Sequence, residues 1–447
     1  FVVTNDYLKY KGEYMKLSKY NFFYEYKKDP NKYVAYNSFS NSLALLERQK
    51  YIQLQEFASG KIEGLDNTFE QELMKGNFLI GDEINELEIL EHRMNKSRYG
   101  SGILGLTIAP TLNCNFRCIY CYEKGRYKNS KMDEETEEAI VEFVCRYIPK
   151  ITGIAVSWYG GEPLLAFDVI ERLSERLIKI AREHKLWYSA GMVTNGYLLT
   201  KGKAQRMAEL GVKNIQITID GNKKTHNQKR PLVDGTGTYS RIFENLEEVN
   251  GILESVAIRV NTDKNNPYAI TSVCEEIKKR KLVNVVAYPA PIRGTEDCYN
   301  IDSCIGKTEF FNLEYEVLKT FPKKEYIRYI QQKYPILSGN SCGADSDLAF
   351  VIDADGNLYK CWSDIGNDSV RFGNIKTGEW NVQNEIIYIK DKPMDRDICR
   401  ECRLLPICLG GCPYEVRQGV QDKCIYSEKL LGNYLQDIAC EMERASS

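Results

Sequence analysis

The chain has 447 residues, fifteen cysteines, three histidines and a formal net charge of −2. That length supports two or three domains with a sizeable core, and the near-neutral balance gives no electrostatic case for nucleic acid as a partner. No apolar run approaches the ~20 residues of a membrane span, Phe1 to Asp6 lacks a signal-peptide pattern, and disulfide frameworks belong to small secreted chains, so a cytoplasmic protein without a membrane partner is expected.

Near the start, Tyr20, Phe22, Tyr24 and Tyr26 alternate, Lys27 to Lys32 turns and Tyr33 to Tyr36 returns, which predicts a hairpin. Ser42 to Leu46 predicts a further strand, and Arg48 to Ala58 a helix stopped at Gly60. A helix at Phe69 to Lys75, a strand at Asn77 to Ile80 and a helix at Ile84 to Arg98 complete a small α+β domain over residues 1–100.

A strand and helix rhythm follows over residues 101–290. Strands are predicted at Leu104 to Ala109, Ile154 to Tyr159, Trp187 to Thr194, Asn214 to Ile219, Val256 to Thr262 and Asn284 to Pro289. Between them lie the helical patterns Asp133 to Ile148, Asp168 to His184, Lys201 to Leu210, Tyr239 to Leu253 and Ile270 to Lys281. Six βα units imply an α/β fold with a parallel sheet and right-handed crossovers. Six rather than eight imply a partial (β/α)6 barrel of TIM type.

Parallel barrels place their chemistry at the C-terminal strand ends, and the polar punctuation of this chain falls there. Strand two ends in Gly160-Gly161-Glu162-Pro163, strand three in Thr194-Asn195-Gly196, strand four in Thr218-Ile219-Asp220-Gly221, and strand five carries Arg259 to Asp263. Each taken alone reads as an ordinary turn. After strand one comes Cys114-X3-Cys118-X2-Cys121. A [4Fe-4S] cluster normally takes four thiolates, so this loop leaves one iron open. Zinc is the competing reading, but it usually takes paired CX2-4C or HX3-5H ligands, and no histidine lies nearby.

The loop and the strand ends behind it resemble the radical S-adenosylmethionine (SAM) enzymes. In that family SAM chelates the open iron, and one electron from the cluster splits the sulfonium to give a 5'-deoxyadenosyl radical. The resemblance implies that Gly160, Gly161 and Glu162 approach the SAM amino group and that Tyr120 lies by the adenine. It also implies that Asn195, Thr218 and Arg259 contact the ribose and carboxylate. It singles out no catalytic side chain.

Seven cysteines lie between 342 and 424: Cys342, Cys361, Cys399, Cys402, Cys408, Cys412 and Cys424. Their spacing resembles the seven-cysteine SPASM domain of radical SAM enzymes, placed here at residues 342–430 after a helical linker at 291–341 and before a tail at 431–447. A zinc ribbon would use only the CX2C pair. The resemblance implies two auxiliary [4Fe-4S] clusters, three clusters in all. Cys399, Cys402, Cys408 and Cys424 would hold one. Cys342, Cys361 and Cys412 would hold the other, whose fourth ligand would be Cys304, Cys298, substrate or water. Cys145, Cys274 and Cys440 fall in helical patterns and read as packed thiols. Leu348 to Tyr359 predicts a hairpin turning at Asp355-Gly356.

Residues 1–100 look like the winged-helix domains that grip peptide leaders; a structural cap on the barrel is the competing reading. The expected activity is that of a maturase of the sactipeptide or ranthipeptide type. It would take hydrogen from a ribosomally made precursor peptide and link a cysteine sulfur to carbon, with a flavodoxin or ferredoxin as reductant. Carbon–carbon crosslinking and epimerisation remain open. Sulfatase-maturing oxidation of Cys or Ser is the second class, disfavoured because that family's aspartate after the cysteine matching Cys361 is Trp362 here. A non-catalytic electron carrier or zinc scaffold is the third, and it would need neither a three-cysteine loop nor SAM contacts.

Overall fold

The tyrosine-rich opening of the chain folds as an antiparallel sheet. In the computed structural model, which describes residues 14–100, 102–126, 130–292, 299–420 and 424–446, β1 (Met15–Leu17) precedes β2 (Asn21–Glu25), β3 (Lys32–Asn37) and β4 (Ser42–Glu47). The last three form a meander in which Phe22 opposes Tyr36 and Tyr36 opposes Leu43. Every second residue therefore shares a face. One face, with Phe22, Val34, Tyr36 and Leu43, packs on Leu430, Leu431, Tyr434 and Leu435 of the helix Glu428–Ser446. The other, with Tyr33, Ala35 and Leu46, packs on Leu54, Phe69 and Leu73 of the helices Arg48–Ala58 and Asn67–Lys75. Asp66 caps the second of these by accepting from the Thr68 and Phe69 N–H groups. β5 (Leu79–Gly81) pairs with β1, a pairing absent from the sequence reading because three-residue strands carry no periodic signal.

The chain divides into two compact units that do not follow it in simple succession. The first takes in residues up to Ser97 together with Phe311–Ser341 and Asp391–Ser447; the second takes in Arg98–Phe310 and Cys342–Lys390. The cysteine-rich stretch 342–430 is thus shared between them.

The second unit is built on β6 (Ile103–Ile108), β7 (Gly153–Trp158), β8 (Trp187–Thr194), β9 (Val212–Thr218), β10 (Ser255–Thr262) and β11 (Val285–Pro291). They run parallel in that order, as expected, with the helices Glu134–Tyr147, Phe167–Glu183, Lys201–Glu209, Tyr239–Glu248 and Ala269–Lys279 between them. Leu104, Leu106, Ile108, Val156, Ile217 and Ile258 are buried. The alternate positions Gly105, Thr107, Ser157, Gly191, Gln216 and Arg259 are only partly buried. A closed eight-stranded barrel fills its interior with large branched side chains. Six strands with small or polar inner residues leave the interior open.

β12 (Ala349–Ile352) and β13 (Asn357–Tyr359) form the expected hairpin. β12 adds in parallel to the free edge of β6, and β14 (Gly373–Asn374) pairs with β13. The central sheet therefore has nine strands among the described residues. The hairpin turns around the buried Asp353, whose carboxylate accepts from the Asp355 and Asn357 N–H groups and from the Asn357 amide. Gly356 there has φ +84°, a conformation glycine adopts without strain.

One expectation is corrected. Cys145 is exposed rather than packed, because the buried stripe of its helix runs through Thr136, Ile140, Phe143 and Val144 and the next residue turns away from it. No helix among the described residues is long and apolar enough to cross a membrane.

Candidate active site at the cysteine loop

The loop after β6 passes directly over the end of β7. A Cβ on Gly160 would lie 2.4 Å from the Thr111 carbonyl oxygen, and one on Gly161 would lie 2.3 Å from that of Asn113. The Gly161 N–H donates to Thr111 O (3.2 Å) and the Glu162 N–H to Asn113 O (2.9 Å). The glycine pair is therefore required by the close approach of two backbones, and it presses the cysteine loop against Glu162.

Glu162 has no solvent exposure. Its carboxylate accepts from the Leu164 N–H (3.1 Å), the Thr194 hydroxyl (2.7 Å) and the Asn195 N–H (2.7 Å). Burial nonetheless raises its pKa, and these bonds with distant Lys203 offset only part of that. A desolvated carboxylate held by neutral donors complements a cation. Asn195 reaches the loop as well, its amide donating to Asn115 Oδ1 at 2.8 Å.

The three loop thiols are neighbours. Burial raises the Cys114 thiol first, followed by Glu162 and then Cys118 and Cys121. Burial likewise pushes Cys118 up to about 11, with Cys121 and Asp220 adding to it and Arg230 opposing. Such thiols stay neutral unless a metal takes them as thiolates. The thiolates of a cluster sit on separate irons. The donor set therefore fits a cluster, and Glu162 beside it fits the SAM ammonium.

Tyr120 anchors the far side of the loop. Its hydroxyl donates to Asp220 (2.5 Å) and accepts from Arg230 (2.9 Å) and from the Asn261 amide (2.9 Å). Asp220 is fully buried and its Oδ1 has no hydrogen-bond partner. Burial raises the pKa of Asp220, while Arg230 pulls it down. Thr218 and Arg259 are register partners on β9 and β10, and Arg259 donates to Asn261 Oδ1 at 2.9 Å. Asp220, Arg230 and Asn261 were missed as site residues. Asp220 and Asn261 stand in strand-end segments already marked, whereas Arg230 follows the helix Lys223–Lys229 and carries no motif.

The C-terminal cysteines also assemble. Burial raises Cys402, with Cys424 and Cys399 adding to it. Burial pushes Cys408 up to about 11, with Cys424 and Cys402 adding. Cys402, Cys408 and Cys424 are thus neighbours, with Cys399 beside Cys402, all within the first unit. Cys361, raised by burial to about 12, feels Cys342, and both belong to the second unit, whereas Cys412 belongs to the first. Cys304 lies beside Tyr299 on the segment whose Ser303 carbonyl accepts from the Lys264 N–H at 3.0 Å. Cys298 falls outside the described residues. Between Cys121 and Cys361 runs an aromatic contact: the Tyr122 and Tyr159 hydroxyls are hydrogen-bonded, and Tyr159 stacks on Trp362 with centroids 5.6 Å apart.

Residues 108–262 match the family model described as the Radical SAM superfamily. The chain is 26% identical over 333 residues to the cysteine-type anaerobic sulfatase-maturating enzyme of Clostridium perfringens, with 69% of this chain and 88% of that protein covered. It is 23% identical, over 93% of this chain and 92% of the relative, to the radical SAM cyclopropyl synthase TigE of Paramaledivibacter caminithermalis. Among solved structures, anSMEcpe with bound AdoMet and a peptide superposes with a TM-score of 0.57 at 19% identity, covering 76% of this chain and 97% of that one. Streptococcus suis SuiB bound to precursor peptide SuiA superposes with a TM-score of 0.51 at 14% identity, covering 93% and 99%. These likenesses are of fold. The matched span opens at the end of β6, takes in the cysteine loop and the Gly-Gly-Glu segment and closes at the end of β10, and on this ground residues 108–262 form a radical SAM domain.

Proposed function

We propose that this enzyme matures a ribosomally made precursor peptide, forming an intrapeptide crosslink from a cysteine sulfur to carbon. The observation that carries the peptide reading is coverage. The cyclopropyl synthase and the peptide-bound SuiB structure extend over 93% of this chain, whereas the sulfatase-maturating relative covers 69%. Trp362, half exposed at the site, stands where a sulfatase-maturing base would be.

When bound, SAM and the loop cluster supply hydrogen abstraction from carbon; this chain's residues would bind and orient them. Cys114, Cys118 and Cys121 would hold the cluster, Glu162 the SAM ammonium, and the Tyr120, Asn195, Thr218 and Arg259 side chains the rest of SAM. Cys399, Cys402, Cys408 and Cys424 would hold one auxiliary cluster. Cys342, Cys361 and Cys412 would supply three ligands of a second. Its fourth position, taken by Cys304, Cys298, water or the substrate thiolate, decides whether the cluster transfers electrons or grips the peptide cysteine.

The leader would add as a strand to β4. The outer side of β2 is already engaged: Asn21 O accepts from Arg403 at 3.1 Å, and just beyond it the Lys27 N–H donates to Gln436 Oε1 at 2.9 Å. On β4, the Arg48 N–H donates to Asn31 O one step beyond the Glu47–Lys32 pair. In an antiparallel ladder such pairs alternate, so the N–H groups of Leu43, Leu45 and Glu47 face away from β3. An extended leader gains affinity from such donors. Leu45→Pro is expected to weaken leader-peptide binding about tenfold beyond Leu45→Ala, since both lose the same packing and only proline removes the edge donor. Equal affinities of the two variants in a binding titration would sink the edge assignment.

The reaction is tested by mass spectrometry of the precursor after anaerobic incubation with enzyme, SAM and reductant. A thioether appears as loss of two hydrogens together with one thiol that no longer alkylates. Loss of two hydrogens with every thiol still reactive would replace this reading by a carbon–carbon link, which the likeness to a cyclopropyl synthase favours as the second choice.

A further inference from the structure

The cysteine loop is paired with the segment that follows the helix Lys223–Lys229. The Arg117 N–H donates to Pro231 O (2.8 Å), the Ile119 N–H to Lys229 O (3.0 Å) and the Val233 N–H to Asn115 O (3.0 Å), and Phe116 opposes Leu232. Successive side chains of such a ribbon alternate between its faces. Phe116, Cys118, Arg230 and Leu232 share the inner face; Arg117, Ile119, Pro231 and Val233 share the outer. Burial follows this division over Phe116 to Ile119 and Arg230 to Val233, with Phe116 and Arg230 at 1% and 7% exposure against 44% for Ile119 and 59% for Val233, and the division ends at Lys229, which turns inward to the buried Asp263. Cys118 therefore lies one backbone layer beneath an apolar stripe that meets solvent. The exposed charges of residues 113–126 and 222–234 are Arg117, Lys124, Lys223 and Lys224 against Asp234 alone. In a chain whose formal net charge is −2, this is a local positive excess.

We propose that the outer face of this ribbon docks a small, acidic one-electron carrier protein. The proposal rests on Cys114, Cys118 and Cys121 holding the cluster. In each encounter the carrier is oxidised by one electron and the cluster is reduced by one, and no proton or group moves. Electron-transfer interfaces are small, below about 1,200 Å² in total, which a short ribbon with its basic rim can provide. Opposite charge steers the encounter and makes it sensitive to salt. A stripe of Val233, Pro231 and Ile119 gives the interface a centre that excludes water without burying a charge.

The test uses reconstituted full-length enzyme and an acidic flavodoxin as the probe. Flavodoxin affinity is measured by titration calorimetry, and 5'-deoxyadenosine formation is measured separately with dithionite as the electron source. Val233→Glu and Lys124→Glu are each expected to weaken flavodoxin binding about tenfold, with iron content and dithionite-driven 5'-deoxyadenosine kept near the parent values. Unchanged affinity in both variants, or a parent enzyme that does not bind flavodoxin, overturns the proposal. A parent enzyme that makes no 5'-deoxyadenosine with dithionite overturns the cluster assignment beneath it, and the proposal falls with that assignment.

Discussion

Glu162 and Gly161 make separable demands on the same spot. Glu162→Gln keeps the shape and one accepting oxygen for Leu164 and Thr194, sets its NH2 against the Asn195 N–H that the second oxygen accepted from, and removes the charge. Because a charge-assisted bond contributes about 1.5–3 kcal/mol, SAM affinity is expected to fall ~10–100-fold with iron content unchanged. Gly161→Ala instead drives a methyl into the Asn113 carbonyl, and at an overpacking cost of about 1–3 kcal/mol the loop is displaced. Iron analysis of this variant should show a loss of about four irons per chain. The loop thiols add a pH dependence. Burial holds Cys118 at about 11, and iron takes only the thiolate, so anaerobic reconstitution should load the loop faster at about pH 8.5 than at about pH 6.5. A flat iron-uptake profile over that range would contradict the protonated resting state.

At the scale of elements, the hairpin of β12 and β13 ties Cys361 to the edge of the barrel. Its turn depends on Asp353, which besides the bonds within the turn accepts from the Tyr359 hydroxyl at 3.3 Å. Asp353→Ala leaves these donors without a partner inside the fold, at about 1–3 kcal/mol for each buried group left unmade. The variant is expected to lower the thermal midpoint and, with a cluster at Cys342 and Cys361 as proposed, to lose about four irons, while SAM cleavage persists. The hairpin itself was legible, since Asp-Gly between two apolar runs is a local signal. Its parallel addition to β6 was not, because strand pairing across more than two hundred residues is set by packing and leaves no mark in either segment.

For the whole molecule, the shared first unit changes what a truncation would report. Phe22, Val34, Tyr36 and Leu43 form one core with Leu404, Ile407 and the helix Glu428–Ser446, and Tyr20 and Phe39 form another with Met394, Leu405 and Leu409. Removing residues up to Gly100 would strip apolar surface from the segments carrying Cys399, Cys402, Cys408 and Cys424. The truncated protein is therefore expected to lose about four irons and to aggregate, whatever the role of the N-terminal residues in peptide binding. A truncated protein with full iron content would show that the C-terminal cysteines fold without this sheet. Leu45 packs against the first of these cores, so it is the comparison of Leu45→Pro with Leu45→Ala, which loses the same packing, that separates recognition from stability.

The sequence by itself determined the six parallel strands, the hairpin before Cys361 and the spacing of the two cysteine groups. Strand periodicity and ligand spacing are short-range properties, written within tens of residues of one another. Only the tertiary structure decided that Gly160 and Gly161 are fixed by the backbone at Thr111 and Asn113, that Tyr120 is held by Asp220, Arg230 and Asn261, and that the first hundred residues share their core with the last fifty. Those relations join segments far apart in the chain, where a buried carboxylate or an apolar face takes its partner from whatever the fold brings beside it.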